Sequence, residues 1–413
     1  MFTTYRLELP DPVSLNKLQI PVFTHMFLQH VSAHKVQVDP IQGKRISVTY
    51  LSSYPREQIE REVAIFLERF SPQHDEASAS SAGVQDPELN VVELHEPPLE
   101  QLCSCCTPGN QRNVSDDLLE QGWLTLLRNQ ELAYHRPIIR LLEYFDQSYV
   151  EYVGGKIGQC QERQYSVLLP AAFAEKMNYF HSAPMHLLLA THLSHDQAKM
   201  ISFAEDVSAN NGKLPQDSGP YLETPPYLLQ SAPCYKVYME MEDRELEDNT
   251  AFVLKGQSFR NEGKRVYLLE RLLNFTMREF VFLGAPDYVT RMRDLTLQWT
   301  IEWMETVGLK GQCALANDPF FLPGKVKQNF KVPKHVKYEV RADIPYKNDT
   351  ISIASYDTHG DFFATTFNFK LKDRSETWSG CIGLGLERVV WSFLQQYGLQ
   401  SENWPAAIPD SVK

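Results

Sequence analysis

Apolar and polar positions along this chain follow three successive patterns. In the first 72 residues, Thr4–Leu9, Lys35–Val38 and Arg45–Leu51 alternate as strands. Ser14–His30 is helix-like but interrupted at Pro21, and Ile59, Val63, Ile65 and Phe66 recur at helical spacing after Pro55, which predicts a helix running to Phe70. Residues 1–72 therefore read as a small α+β module. Periodicity then stops: Ala77–Gly83 is Ser/Ala/Gly-rich, and Pro97-Pro98 and Pro108-Gly109 are turn-forming, so residues 73–116 read as a flexible linker.

From residue 117 onward the apolar density rises. Asp116–Gln147 repeats leucine, isoleucine and phenylalanine at helical spacing with a break at Pro137. Ala172–His195 reads as an apolar helix holding His181, His186 and His192 in structural roles, and residues 205–226 as a polar surface loop. Ser258–Leu283 predicts a long antiparallel hairpin, because Phe259, Phe275, Phe280 and Val281 have strand character on either side of a polar break. A helix is expected over Asp287–Val307, with Met292, Leu295, Trp299 and Trp303 on its apolar face. Val336–Val340 and Thr350–Tyr356 are expected as neighbouring strands of the same antiparallel sheet, and Asp357–Asp361 as a loop.

Composition narrows the class. With 413 residues and 43% apolar content, one sizeable core plus a smaller module is expected. The net charge of -12 argues against a generally basic nucleic-acid binder, and residues 1–72 hold eight Lys/Arg against seven Asp/Glu, too balanced for a tRNA-binding arm. Met1–Arg6 lacks a signal-peptide pattern and no apolar run approaches the ~20 residues of a membrane span, so a cytoplasmic protein is expected. Seven cysteines, an odd number, suggest reduced thiols or metal ligands rather than disulfides. Cys103, Cys105 and Cys106 have no second ligand pair nearby and read as accessible thiols.

The candidate chemistry lies in the hairpin and near the C-terminus. On a strand, Arg260 and Glu262 would leave one face, whereas the adjacent Arg278 and Glu279 must point to opposite faces. An Arg on a sheet presents a fork suited to phosphate, and Phe275 offers a flat surface to a purine; an edge hairpin with solvated charges has the same pattern. Gly380, Gly383 and Gly385 precede an apolar helix with Arg388 near its start, a glycine-rich turn able to deliver an Arg to an anion. Cys234, on an apolar stretch read as a strand, is by itself a small core residue.

Phe259-Arg260-Asn261-Glu262 resembles motif 2 of the class II aminoacyl-tRNA synthetases, and Gly383-Leu384-Gly385-Leu386-Glu387-Arg388 resembles their motif 3. Thr276–Val281, Asn317–Phe321 and Lys337-Tyr338-Glu339 look most like the amino acid:[carrier protein] ligases, truncated relatives of the zinc-containing, archaeal-type seryl-tRNA synthetases. The resemblance implies an α+β catalytic domain over 117–413, built on an antiparallel sheet flanked by helices, and a homodimer. It implies zinc held by Cys234, Glu279 and Cys381, which stand 45 and 102 residues apart. Such a site leaves one position open for the amine of a small amino acid such as glycine, alanine or serine.

The same resemblance assigns Arg260 to the ATP α-phosphate and the amino acid carboxylate, and Arg388 to the γ-phosphate. Phe275 would stack on adenine, Glu262 would meet its exocyclic amine or an incoming acceptor, and Glu339 would contact Mg²⁺. The seryl-tRNA synthetases carry a Glu where Thr350 falls, so a second Mg²⁺ contact is unassigned. The implied reaction is AMP-forming activation of an amino acid and transfer to the phosphopantetheine thiol of a carrier protein. The alternatives are tRNA charging, less expected without a basic or coiled-coil arm, ligation to a small-molecule acceptor, and a non-catalytic amino-acid sensor.

Overall fold

The computed structural model describes residues 2–8, 35–38, 45–51, most of 56–64, and then 113–128, 131–182, 184–262, 267–316, 337–374 and 376–413. The expected helix at Ser14–His30, the linker with Cys103–Cys106, and Asn317–Phe321 lie outside the described residues. The chain divides into two compact units at about Leu99.

The N-terminal unit pairs β1 (Phe2–Glu8), β2 (Lys35–Val38) and β3 (Arg45–Leu51) in the antiparallel order β1-β3-β2. Alternation on β3 buries Ile46 and Val48, and the helical residues Ile59 and Val63 are buried as well.

The large unit is organised on a seven-stranded sheet. Its elements are α1 (Arg136–Tyr149), β4 (Gln161–Arg163), α2 (Tyr235–Glu240), β5 (Thr250–Phe259), β6 (Asn274–Gly284), α3 (Pro286–Val307), β7 (Gly311–Ala316), β8 (Lys337–Ile344), β9 (Asp349–Gly360), α4 (Phe362–Phe367), β10 (Trp378–Gly385) and α5 (Leu386–Tyr397). The strand order is β7-β8-β9-β10-β6-β5-β4, antiparallel except for the short β5–β4 pair. The expected hairpin is present as β5–β6, but its first strand starts well before Ser258 and ends before Arg260 and Glu262, which lie in the connection instead of on a strand; the expected neighbouring strands are β8–β9.

Helices α1, α3 and α5 cover one face of this sheet. Phe145 on α1 meets Phe393 on α5 with ring centroids 5.2 Å apart, and Tyr149 meets Trp303 on α3 at 5.0 Å. The buried side of α3 runs through Met292, Thr296, Thr300 and Trp303, while the expected Leu295 and Trp299 are only half-buried. Two threonines are tolerated there because each donates to the carbonyl four residues back, Thr296 to Met292 at 2.6 Å and Thr300 to Thr296 at 2.8 Å.

Local structure departs from expectation in four places. The helix expected over 116–147 is a short helix (Val114–Glu120), a hairpin pairing Leu124–Leu126 with Leu132–Tyr134, and then α1. Gly122 in the left-handed region turns the chain, and Pro137 starts a helix because its missing N–H falls in the first turn. Ala172–His195 breaks into short helices and the strand Leu189–Ala190. The loop expected from 205 begins later, because a helix capped by Asp196 runs over Gln197–Ala209. Asp357–Gly360 completes strand β9 instead of forming a loop. Among the described residues, no helix is long and apolar enough to cross a membrane.

Candidate active site

Register assembles the site on the sheet face opposite α1, α3 and α5. Glu339 pairs with Ser355, Ser355 with Gly383, and Gly383 with Glu279, so these four residues form one row across β8, β9, β10 and β6. A parallel row holds Asp357, Cys381 and Val281. Arg278 turns to the other face, where its guanidinium makes two hydrogen bonds to Asp146 of α1 at 2.7 and 2.9 Å. The expected opposition of Arg278 and Glu279 is therefore present.

Glycines in β10 make room for the neighbouring side chains. A Cβ on Gly383 would lie 2.6 Å from Met277 Cε and 3.4 Å from Glu279 Oε1. At Gly380 it would lie 2.8 Å from Val289 Cγ1 and 2.9 Å from the Asp357 carbonyl. The glycine-rich stretch is thus a strand crowded by its neighbours rather than a turn, and Arg388 follows in the first turn of α5.

At one end of this face three guanidiniums gather. Arg260 lies one residue past β5 but still continues the ladder, its N–H donating to the Leu273 carbonyl at 2.9 Å. Its Nε donates to the Ser231 carbonyl at 3.2 Å, and its guanidinium lies 5.3 Å from the centroid of Phe275. Arg271 donates to Glu262 at 2.6 Å. Arg388 is fixed by two carbonyls, donating from Nε to Glu270 at 2.9 Å and from Nη1 to Ser352 at 3.0 Å.

Burial alone would raise the Glu262 carboxyl, but Arg271, Arg388 and Arg260 together hold it below the usual carboxylate range. Burial, with Arg271 and Arg260 nearby, lowers Arg388 to about 10, so it remains a cation at neutral pH. One carboxylate therefore feels all three guanidiniums, which places Arg260, Glu262 and Arg388 in one cluster.

At the other end sit the sulfur atoms. Cys234 is not on a strand: it caps the N-terminus of α2. Its N–H donates to Glu279 Oε2 at 2.6 Å, and its thiol shares a hydrogen bond with Cys381. That hydrogen bond and burial hold the Cys234 thiol well above its ordinary value. The same hydrogen bond lowers Cys381, but burial together with the Asp357 and Glu279 carboxylates outweighs it and leaves that thiol raised. Burial also pushes Glu279 up to about 7 against the opposing Cys234 N–H. The three expected metal ligands thus converge pairwise. As arranged, no three His, Cys, Asp or Glu side chains among the described residues are grouped closely enough to hold a metal ion.

Glu339 lies on the same face, with Arg341 donating to its Oε2 at 2.8 Å; Arg341 also donates to the Thr350 hydroxyl and carbonyl, each at 2.9 Å. Two contributors were absent from the expectations. Arg271 lay in the polar break, where nothing in sequence distinguishes it from a solvated arginine. Glu387 is buried and takes the Thr276 N–H on both oxygens at 3.0 and 2.8 Å and the Thr276 hydroxyl at 2.8 Å, locking α5 to the residue after Phe275. Its signal was an acidic residue in the first turn of a helix.

No protein-family model matches the chain. It is 30% identical over 316 residues to the type-2 serine–tRNA ligase of Methanococcus aeolicus, covering 74% of this chain and 60% of that protein. It is 27% identical to the corresponding ligase of Methanocaldococcus jannaschii, covering 73% and 60%. Among solved structures, M. kandleri SerRS in complex with A. aeolicus tRNASec aligns with a TM-score of 0.67 at 21% identity, covering 98% of this chain and 76% of that one. Pyrococcus horikoshii seryl-tRNA synthetase complexed with ATP aligns at a TM-score of 0.52 and 12% identity, covering 71% and 59%.

The chain is class II synthetase-like. Its homologues are archaeal-type seryl-tRNA ligases, and its α+β fold, with a largely antiparallel sheet flanked by helices, is the class II fold. This synthetase-like chain spans about 60% of the length of the curated relatives it matches. The names of those relatives run against the carrier-protein acceptor expected from Thr276–Val281 and Lys337–Glu339, and toward the tRNA-charging alternative.

Proposed function

We propose that this chain is an ATP-dependent, AMP-forming ligase that activates serine as an adenylate and transfers it to tRNA in the cytoplasm. The observation that carries the reading is the convergence of Arg260, Arg271 and Arg388 on Glu262 beside Phe275. Such a cluster of fixed cations suits the polyphosphate and the charge that spreads over phosphoryl oxygens in adenylation.

In this reading a serine carboxylate oxygen attacks the α-phosphorus and pyrophosphate leaves. Arg260 neutralises the α-phosphate and orients the carboxylate; its seat against the Ser231 carbonyl and Phe275 means little reorganisation is needed. Arg388 holds the γ-phosphate from a position set by two backbone carbonyls. Phe275 and Glu262 take the adenine, and Glu339 contacts ATP-bound Mg²⁺.

Cys234, Glu279 and Cys381 have the donor chemistry of a zinc site, and all three are held above their ordinary values, so a metal entering between them would have to displace their protons. Zinc held there would supply a Lewis acid that accepts serine through an uncharged amine. Leu126, Leu127 and Ile139, exposed at 51%, 47% and 42%, support the homodimer. For the tRNA acceptor, support comes from the fold alignment covering 98% of the chain, which takes in the β1–β3 unit and matches a protein solved with tRNASec. Incubation with ATP and radiolabelled serine should charge bulk tRNA and leave a phosphopantetheinylated carrier protein unlabelled; the reverse pattern would overturn the acceptor.

A further inference from the structure

Strand β8 brings a further guanidinium to the site face. Val340, Ala342 and Ile344 are buried toward the helices, so Glu339 and Arg341, two apart, leave the opposite side together. Just here β9 holds one extra residue: Val340 pairs with Ala354 and Arg341 with Ser352, which leaves Ile353 without a place in the β8–β9 ladder. A bulge of this kind re-aims the side chains beside it. The Arg341 guanidinium is seated on β9, Nε donating to the Thr350 hydroxyl and Nη2 to the Thr350 carbonyl, while Nη1 donates to Glu339. Three of its five N–H groups are used in these contacts, which leaves one on each terminal nitrogen. The pair is open to solvent, with side-chain exposures of 30% for Arg341 and 20% for Glu339. Two residues along β9, the Ser352 carbonyl holds Arg388 at 3.0 Å. Thr350, Ile351 and Ser352 keep regular register, so Arg341 and Arg388 are tied to carbonyls about 7 Å apart on one strand.

We propose that Arg341 is a further ATP-binding residue, contacting the outer phosphates alongside Arg388. This rests on the adenylation reading above and deepens it, because it extends the polyphosphate site from the hairpin across β9 to β8. The anchor on Thr350 consists of neutral oxygens, which fix the guanidinium without cancelling its charge; a carboxylate at position 350 would pair with it instead. Glu339 engages one terminal nitrogen only. The remaining donors lie on both terminal nitrogens, and two N–H groups are what an arginine offers to two oxygens of one phosphate. A side chain already held by three contacts loses little rotamer freedom when the ligand arrives, so its binding energy is not spent on ordering.

The test is calorimetric titration of the full chain with ATP and with AMP. Arg341→Ala should bind ATP on the order of 10-fold more weakly than wild type or worse, the scale for losing a charged hydrogen-bond donor. It should bind AMP as wild type does, because AMP lacks the outer phosphates, and that result also shows the site intact. Arg341→Ala strips Glu339 of its partner as well, so the substitution is repeated in Glu339→Gln, where no carboxylate is left to repel a phosphate. The loss for ATP should persist there. Three results overturn the proposal: undiminished ATP binding in Arg341→Ala, an equal loss for AMP, or a loss that disappears in the Glu339→Gln background. Wild type that fails to bind ATP overturns the adenylation reading itself, and this one with it.

Discussion

The two ends of the candidate site solve the problem of burying charge in different ways. Around Glu262 opposite charges meet: Arg271 sits at 2.6 Å and Arg260 and Arg388 add their fields, so the carboxylate is ionised and the arginines are already in place. At the sulfur end, the hydrogen bond with Cys381 and burial hold Cys234 toward its protonated form, burial holds Glu279 there, and burial with the Asp357 and Glu279 carboxylates does so for Cys381 against its hydrogen bond with Cys234. The first end carries its charges as folded, whereas the second does not. One face of one sheet thus carries an ionised cluster at one end and, a few residues away, a cluster held toward its protonated form.

Arg260→Ala should break the first end most severely, lowering amino-acid-dependent ATP–pyrophosphate exchange by about 10²-fold or more while circular dichroism stays unchanged. On the opposite sheet face, Asp146→Asn should act on stability instead. It strands Arg278 and Lys255, whose contacts with Asp146 are 2.7 and 2.9 Å, at about 3 kcal/mol in denaturant unfolding.

Asp146 and Glu279 should also carry opposite pH signatures. Burial raises Asp146, but hydrogen bonds from Arg278 and Lys255 bring it below the usual range. Its contribution is therefore present above the unfolded aspartate pKa and is lost as pH falls through the lower folded value. Glu279, raised to about 7, opposes folding when ionised. Metal-free wild type should lose stability relative to Glu279→Gln as pH rises from the unfolded glutamate value through about 7, by about 3 kcal/mol, and added zinc should reverse the loss. Thr276→Val, which removes one of three hydrogen bonds to Glu387, should cost about 1 kcal/mol and leave exchange near wild type.

Much of the fold was legible because it rests on period. The β5–β6 hairpin, the β8–β9 pair and helices α3 and α5 each carry an unbroken alternation or helical repeat. The stretch before α1 was misread because Leu126, Leu127 and Leu132 suit a helical repeat as well as a hairpin, and Gly122 decides between them. Cys234 was placed on a strand because apolar neighbours surround it, although it starts α2. The site was legible where a residue stood inside a motif, as Arg260, Glu262 and Arg388 did. It was not legible where a contact joins distant segments: Arg271 becomes significant only when β6 and α5 bring Arg388 beside it. The bulge at Ile353 beside Arg341 is a property of strand pairing, which no single strand displays.

The most direct test of the account is ATP–pyrophosphate exchange measured with each of the twenty amino acids on wild type and Arg260→Ala. Exchange should depend on serine in wild type and fall by about 10²-fold or more in the variant. Serine-independent exchange, absence of exchange with every amino acid, or full activity in Arg260→Ala would contradict it.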